Sequence, residues 1–319
     1  GIGFVDAPVS GGVAGAEAGT IAIMASGPEP HPGRALGVLK AISPNVFRCG
    51  AQVGAGQTMK LVNNVLTGGL RLATLEVVAL GAKMGLSLAT MTDVINKGSG
   101  RNRMSKVTLQ AMAEGKPVSS RFLMALMLKD INQALGLALA CGAPMAITNV
   151  VRGLYQIGVN TLGERAQLDQ TVGLIESMAA TKITGAPDPA RPQALAVGAP
   201  RVGYIGLGAM GRALARRLLL THPLQVYDVN EAAVDALVAK GATAAPDLAT
   251  LARMSDVIMV CVPTSAIVRE VVFGEGGLAA GLAPGKIVVD QTTGDPTITR
   301  AIAADLAKRG VPLVDAPVS

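Results

Sequence analysis

Val202-Gly203-Tyr204-Ile205-Gly206-Leu207-Gly208-Ala209-Met210-Gly211 is the stretch that decides the fold. A short β-forming run leads into three glycines spaced G-x-G-x-x-G, and Ala209–Leu220 continues with helical character. The first glycine permits the tight turn out of the strand, and the second lets the backbone approach a pyrophosphate. The third lets helix pack closely on strand, while the helix N–H groups face the phosphates. Leu224–Tyr227 reads as the next strand and Asp228 ends it, 22 residues after Gly206. A carboxylate there can accept from an adenosine ribose hydroxyl. Gly206, Leu207, Gly208, Ala209, Met210, Gly211 and Asp228 are thus the candidate dinucleotide-binding residues. A carboxylate repels a 2′-phosphate, and neither Val229 nor Asn230 brings a cation to attract one. NAD is therefore expected over NADP, with Arg212 as the one nearby charge pointing the other way.

Outward from this turn the same alternation continues. A helix at Ala232–Ala239, a strand at Val257–Val262, a helix at Ala266–Val272, a strand at Lys286–Asp290 and a helix at Ile298–Arg309 follow one another. Strands separated by helices specify a parallel sheet with right-handed crossovers. The first 53 residues carry strand patterns at Gly1–Ser10, Thr20–Ala25 and Asn45–Cys49, a loop at Gly11–Gly19 and a helical stretch at His31–Ile42. They are too few to close a sheet alone. Gly56–Met84 predicts a long helix, apolar on nearly every face and so expected at the centre of a domain. Ser87 can cap a helix at Leu88–Lys97. Further helices are predicted at Met104–Ala113, Phe122–Cys141, Ala146–Gly158 and Thr171–Ala180, and the four prolines of Ile183–Pro200 mark a linker. The fold class is α/β, a Rossmann-type dinucleotide-binding domain with an all-helical domain. Residues 201–319 with 1–53 are expected to build the first, 54–182 a helical substrate and dimerisation domain, and 183–200 the linker.

Composition narrows the function. The 319 residues suffice for two domains, half are hydrophobic, and 39 are glycine. The formal charge of +6 comes with no basic run, and aromatics at 2% are too few for a base-stacking platform, so nucleic acid is not expected. Cys49, Cys141 and Cys261 are widely spaced and fit a reducing cytoplasm, with no metal spacing. His31 and His222 are the only histidines, so no metal site is expected. No basic and apolar leader pattern opens the chain. The uncharged run Ile131–Val151 is broken by Asn132, Gln133, Gly136 and Pro144, and reads as a buried helix and turn, not a membrane span.

Two more features carry chemistry. Val-Asp-Ala-Pro-Val-Ser occurs at Val5–Ser10 and again at Val314–Ser319, and only the first copy runs on into Gly11-Gly12. In Gly54–Asn64 (GAGQTMKLVNN), Lys60 and Asn64 are four apart and share a helical face. An ammonium beside an amide can protonate and orient a carbonyl oxygen. A lysine snorkelling at a helix end fits the same pattern.

At the glycine loop, Asp6–Gly12, Gly54–Asn64, Phe122–Asp130, Cys261-Val262-Pro263 and Asp290–Thr293, the sequence resembles the β-hydroxyacid dehydrogenase family of 3-hydroxyisobutyrate dehydrogenase-like enzymes. The resemblance implies that Lys60 is the catalytic acid/base and Asn64 its orienting partner, with Ser10, Gly11 and Gly12 at the substrate carboxylate. It places Val262, Pro263, Thr293 and Lys129 beside the cofactor, and makes Asp130 a structural partner. It further implies exchange of hydride between NAD and a small anionic 3-hydroxy acid or its semialdehyde, in a homodimer or homotetramer. The family's order has the glycine loop first, so this chain reads as circularly permuted, opened at the duplicated strand. The first copy is expected to serve the substrate site, leaving the second to compete for its slot, fray, or pair with another molecule. An imine reductase-like enzyme would depart from Lys60, and a non-catalytic dinucleotide-binding protein would lose Lys60 or the anion turn. Both features are present.

Overall fold

In the computed structural model, which describes residues 2–184 and 199–319, the strands fall into two separate sheets. The chain divides into the units Gly1–Arg191 and Pro192–Ser319. Of the expected linker 183–200, residues 185–198 lie outside the described residues.

The first unit opens with β1 (Val9–Ser10), α1 (Gly12–Glu17), β2 (Ala22–Ser26), α2 (His31–Ile42) and β3 (Val46–Gly50). β1 runs antiparallel to β2, with Val9 opposite Ile23, and β2 runs parallel to β3. Then come α3 (Ala55–Lys83), α4 (Leu88–Lys97), a π-helical turn at Met104–Leu109, α5 (Gln110–Ala113), α6 (Met124–Cys141), α7 (Ala146–Leu162) and α8 (Thr171–Ala179). Ser87 caps α4 by accepting from the N–H of Thr90, and Gly142 ends α6 in the left-handed conformation that glycine adopts without a steric cost. Leu72, Leu75 and Val78 of α3 meet Met124, Met127 and Ile131 of α6 and Tyr155 of α7 in one core. Each such side chain contributes about 1.5–3 kcal/mol by leaving water. α3 and α6 are long and apolar enough to cross a membrane by length and composition; here both supply this core.

The second unit alternates without exception: β4 (Val202–Ile205), α9 (Ala209–Leu218), β5 (Leu224–Tyr227), α10 (Glu231–Val238), β6 (Thr243–Ala244), α11 (Leu248–Met254), β7 (Val257–Val260), α12 (Ser265–Phe273), β8 (Ile287–Asp290), α13 (Pro296–Ala307) and β9 (Leu313–Asp315). The sheet order is β6-β5-β4-β7-β8-β9, every pair parallel. All four residues of β4 are buried, as expected for a parallel strand covered on both faces. Strand order reverses between β4 and β7, and in such sheets the crevice at the reversal is where ligands bind.

Several expectations need correction. Of the described residues 2–10, only Val9–Ser10 is strand, with Asp6 bridging Ser26; Pro8 has no N–H to give a ladder, and the Asp6 side chain is engaged elsewhere. The loop expected at Gly11–Gly19 contains α1, and Met104–Ala113 begins as a π turn. β6 and α11 went unread because Thr243–Ala244 is too short to show a period. α3 is not apolar-in on all sides: Met59, Val62, Leu66, Val77 and Leu80 are exposed along one stripe. Apart from these corrections, the strands of residues 2–53 and those of 201–319 are hydrogen-bonded in two sheets. β9 already takes the outer edge of β8, and β1, β2 and β3 pair among themselves. Val9–Ser10 of the first copy and Val314–Asp315 of the second therefore lie in strands, each in its own sheet.

Candidate active site

In the first unit, Asp6 sets the start of α3. Its carboxylate accepts from the N–H of Gly54 at 3.1 Å and of Gln57 at 2.9 Å, and from the hydroxyl of Ser26. The Ser26 oxygen in turn accepts from the N–H of Gly56 at 3.0 Å. Three donors of the first turn are thereby satisfied without a side chain from the helix itself. Burial pushes the Asp6 carboxyl up, but these hydrogen bonds outweigh it and hold the group below its ordinary range. Gly56 is required here, because a Cβ would stand 2.2 Å from the carbonyl oxygen of Met24. Locked against β2 in this way, α3 presents Lys60, Asn63 and Asn64 from its second and third turns.

Lys60 is half-buried, and among the described residues no hydrogen bond or ion pair holds its ammonium. Burial depresses its pKa; Asp130 opposes the shift and Lys129 adds to it. Asn64, 6% exposed, donates its Nδ2 to Asp130 Oδ2 at 2.6 Å. The other oxygen of Asp130, itself 7% exposed, pairs with the Lys129 ammonium at 2.7 Å. Asn63 Nδ2 donates to both Ser10 Oγ at 3.0 Å and Asn64 Oδ1 at 3.2 Å. Ser10, Asn64 and Lys129 are thus brought together by Asn63 and Asp130. Asn63 escaped the sequence reading as a site residue, although it lies three residues after Lys60, on a neighbouring face. Beside Ser10, Gly11 has φ 141° and Gly12 φ 69°. A Cβ on Gly11 would press to 2.9 Å from Ile21, whereas one on Gly12 would meet nothing within 4 Å. The turn is closed on its inner side and open on its outer side, the shape an anion nest needs.

In the second unit, the glycine loop has the geometry its spacing implies. Gly206 has φ 88°, and a Cβ on it would stand 2.1 Å from the carbonyl oxygen of Cys261 and 3.0 Å from Val262. A Cβ on Gly211 would stand 2.0 Å from the carbonyl oxygen of Gly206. Around Gly208 there is nothing within 4 Å, so that side is open for a pyrophosphate above the N-terminus of α9. Asp228 accepts from the N–H of Leu207 with one oxygen and from that of Asn230 with the other, at 2.8 Å. It ties the end of β5 to the loop and keeps further lone pairs for a ligand. Ala209 and Met210 are exposed in the first turn of α9, and Val229 is 92% exposed. Val262 donates its N–H to Thr292 Oγ1 at 3.2 Å, joining the ends of β7 and β8. Pro263 and Thr293 follow as exposed residues. These residues fit a dinucleotide: a cradle that added Cβ atoms would fill, a helix N-terminus for the phosphates, and a carboxylate for the ribose. Among the described residues there is no cluster of three metal-ligating side chains.

A parallel sheet with its glycine turn at the crossover reversal defines the class of dinucleotide-binding folds. Residues 1–50 and 201–319, more than half of the chain, match the model of the NAD binding domain of 6-phosphogluconate dehydrogenase. Residues 54–175 match the model described as NAD-binding of NADP-dependent 3-hydroxyisobutyrate dehydrogenase. The chain belongs to the β-hydroxyacid dehydrogenase family. It is 32% identical over 185 residues to 2-(hydroxymethyl)glutarate dehydrogenase of Eubacterium barkeri, covering 58% of this chain and 61% of that protein. It is 37% identical over 176 residues to 3-hydroxyisobutyrate dehydrogenase of Pseudomonas aeruginosa, covering 53% and 58%. The chain thus spans about three fifths of the length of these relatives. A solved 3-hydroxyisobutyrate dehydrogenase from Salmonella typhimurium aligns with a TM-score of 0.48 at 28% identity, over 55% of this chain and 60% of that one.

Proposed function

We propose that the protein interconverts a small 3-hydroxy acid and its semialdehyde with NAD, using Lys60 as general acid/base. The observation that carries this reading is Lys60 itself: an ammonium with no partner among the described residues, its pKa depressed by burial, one helical turn from the buried amide of Asn64. When bound, the nicotinamide supplies the hydride acceptor or donor. Lys60 takes the hydroxyl proton in oxidation and returns it to the carbonyl oxygen in reduction. An ordinary lysine is a poor base at neutral pH, and a pKa lowered by burial moves Lys60 in the direction that service as a base requires. Ser10 and the Gly11-Gly12 turn hold the substrate carboxylate. Asp228 and the exposed Val229 favour NAD, since neither Val229 nor Asn230 brings a cation to a 2′-phosphate, with Arg212 the one nearby charge pointing the other way. The helical region precedes the glycine loop, and we read this as circular permutation of the family order.

The test is an assay of the full chain with short 3-hydroxy acids and semialdehydes against NAD(H) and NADP(H). Lys60→Ala should lower kcat by at least ~10²-fold while leaving NAD affinity nearly unchanged. Near-wild-type turnover in that variant removes Lys60 from the mechanism.

A further inference from the structure

In the first unit, a run of hydrogen bonds has a direction that only one of its members can impose. A carboxylate has no hydrogen to give, so Asp130 can only accept. One of its oxygens is paired with the Lys129 ammonium at 2.7 Å, and the other takes Asn64 Nδ2 at 2.6 Å. Asn64 must therefore turn its amide nitrogen toward Asp130 and its carbonyl oxygen away. That oxygen accepts one hydrogen from Asn63 Nδ2 at 3.2 Å, and the second hydrogen of the same nitrogen goes to Ser10 Oγ at 3.0 Å. Ser10 is held as an acceptor from inside, and its own hydrogen is left to point outward. It does so at the turn whose outer side, at Gly12, is open.

We propose that Asp130 is a positioning residue: through Asn64 and Asn63 it fixes the Ser10 hydroxyl as a hydrogen-bond donor toward an anionic ligand. The inference rests on the reading of this site as that of a 3-hydroxy-acid dehydrogenase, which supplies the anion as the substrate carboxylate. The reverse polarity is the instructive case. If the group at 130 were an amide with its oxygen turned to Lys129, its nitrogen would face Asn64. Asn64 and Asn63 would both flip, and Ser10 would give its hydrogen inward and present a lone pair to the carboxylate. The buried Asn64 amide and the half-buried Asn63 amide and Ser10 hydroxyl can make their mutual bonds in either direction, so the volume of the site is unchanged while its sign toward an anion inverts.

The experiment compares the full chain with Ser10→Ala, Asp130→Asn and the double variant, reading KM and kcat for 3-hydroxyisobutyrate with saturating NAD. A donor to a charged group is at stake, so each single change should raise KM by about tenfold or more. The double variant should be within about twofold of the worse single one, because both cut the same relay. KM effects that multiply overturn the relay, as does a fall in kcat with KM unchanged in Asp130→Asn. Should Asp130→Asn not fold, Asn63→Leu severs the relay midway with Ser10 intact, and an unchanged KM in that variant overturns it equally. If the unmodified protein turns over no short 3-hydroxy acid, the functional reading has failed, and the relay is tested without substrate. The side-chain amide resonances of Asn63 and Asn64 in ¹⁵N spectra should both move in Asp130→Asn, and that of Asn63 in Ser10→Ala. An Asn63 resonance indifferent to Asp130→Asn overturns the proposal.

Discussion

Asp6 and Asp315 hold the same position in identical hexapeptides and do different work. Asp6, 6% exposed, closes the first turn of the helix that carries Lys60. Asp315 lies exposed at the outer edge of β9, opposite Asp290 in the ladder. Burial raises the Asp290 carboxyl, Thr292 opposes the rise, and Asp315 adds to it. The difference comes from what each strand meets. The first copy runs antiparallel to a strand that abuts α3, and the second runs parallel to β8, where among the described residues no helix N-terminus is hydrogen-bonded to Asp315.

Alanine at the two positions should therefore cost unequal amounts. Asp6→Ala leaves donors of Gly54 and Gln57 without their acceptor and is expected to cost about 1–3 kcal/mol at pH 7. Asp315→Ala, at an exposed position, should stay within about 0.5 kcal/mol. The folded carboxyl of Asp6 titrates below its ordinary 3.8, so its contribution is present above that value and lost as pH falls through the folded pKa. Urea midpoints by far-UV circular dichroism should show the gap between Asp6→Ala and wild type narrowing below about pH 4. Equal costs for the two variants at pH 7 would defeat this assignment.

Three alanines in the glycine loop separate binding from folding. Gly211→Ala puts a methyl 2.0 Å from the Gly206 carbonyl oxygen, and Gly206→Ala puts one 2.1 Å from that of Cys261 in a left-handed conformation. Both should lower Tm and abolish NAD binding. Gly208→Ala has open space, so Tm should stay within about 1–2 °C of wild type while NAD affinity falls at least ~10-fold, because only the pyrophosphate meets that methyl. A Tm loss in Gly208→Ala as large as in Gly211→Ala would show that the loop is closed on that side.

The second unit was legible because each of its signals is local. The glycine spacing, Asp228 at a strand end, and apolar runs between helices are all set within about 25 residues, and the parallel order follows from them. The pairing of β1 with β2 was not legible, since identical hexapeptides carry identical propensities and only their neighbours distinguish them. The Asp6 cap joins residues 48 and 51 positions apart, which no periodicity reports. Lys60 and Asn64 could be placed on one face by their spacing. Asn63 could not be assigned, because its role depends on Ser10, 53 positions away.

Cofactor choice should yield to two changes at the end of β5. Asp228 has a structural duty toward the Leu207 N–H as well as the expected one toward ribose. Asp228→Asn keeps an acceptor for that N–H and removes the charge, and Val229→Arg adds a guanidinium at an exposed position. The unmodified chain should show the higher kcat/KM with NAD, and the double variant should favour NADP by at least ~10-fold relative to it. An unmodified chain that prefers NADP would contradict the role given to Asp228.

The acid/base assignment makes a prediction with two opposite signs. Oxidation needs Lys60 neutral, so kcat/KM for the hydroxy acid should rise with pH and level off above the Lys60 pKa. Reduction needs it charged and should fall through the same value. Burial sets the main displacement below the ordinary 10.5, so the midpoint should lie below that value. Asp130 attracts the ammonium and Lys129 repels it, so their removal must act in opposite directions. Lys129→Ala takes away a repulsion and should move the midpoint up; Asp130→Asn takes away an attraction and should move it down. Both can be followed in pH–rate profiles at saturating NAD, where altered cofactor affinity does not enter. Midpoints that move the same way in the two variants, or a profile that survives in Lys60→Ala, would mean that another group carries the proton.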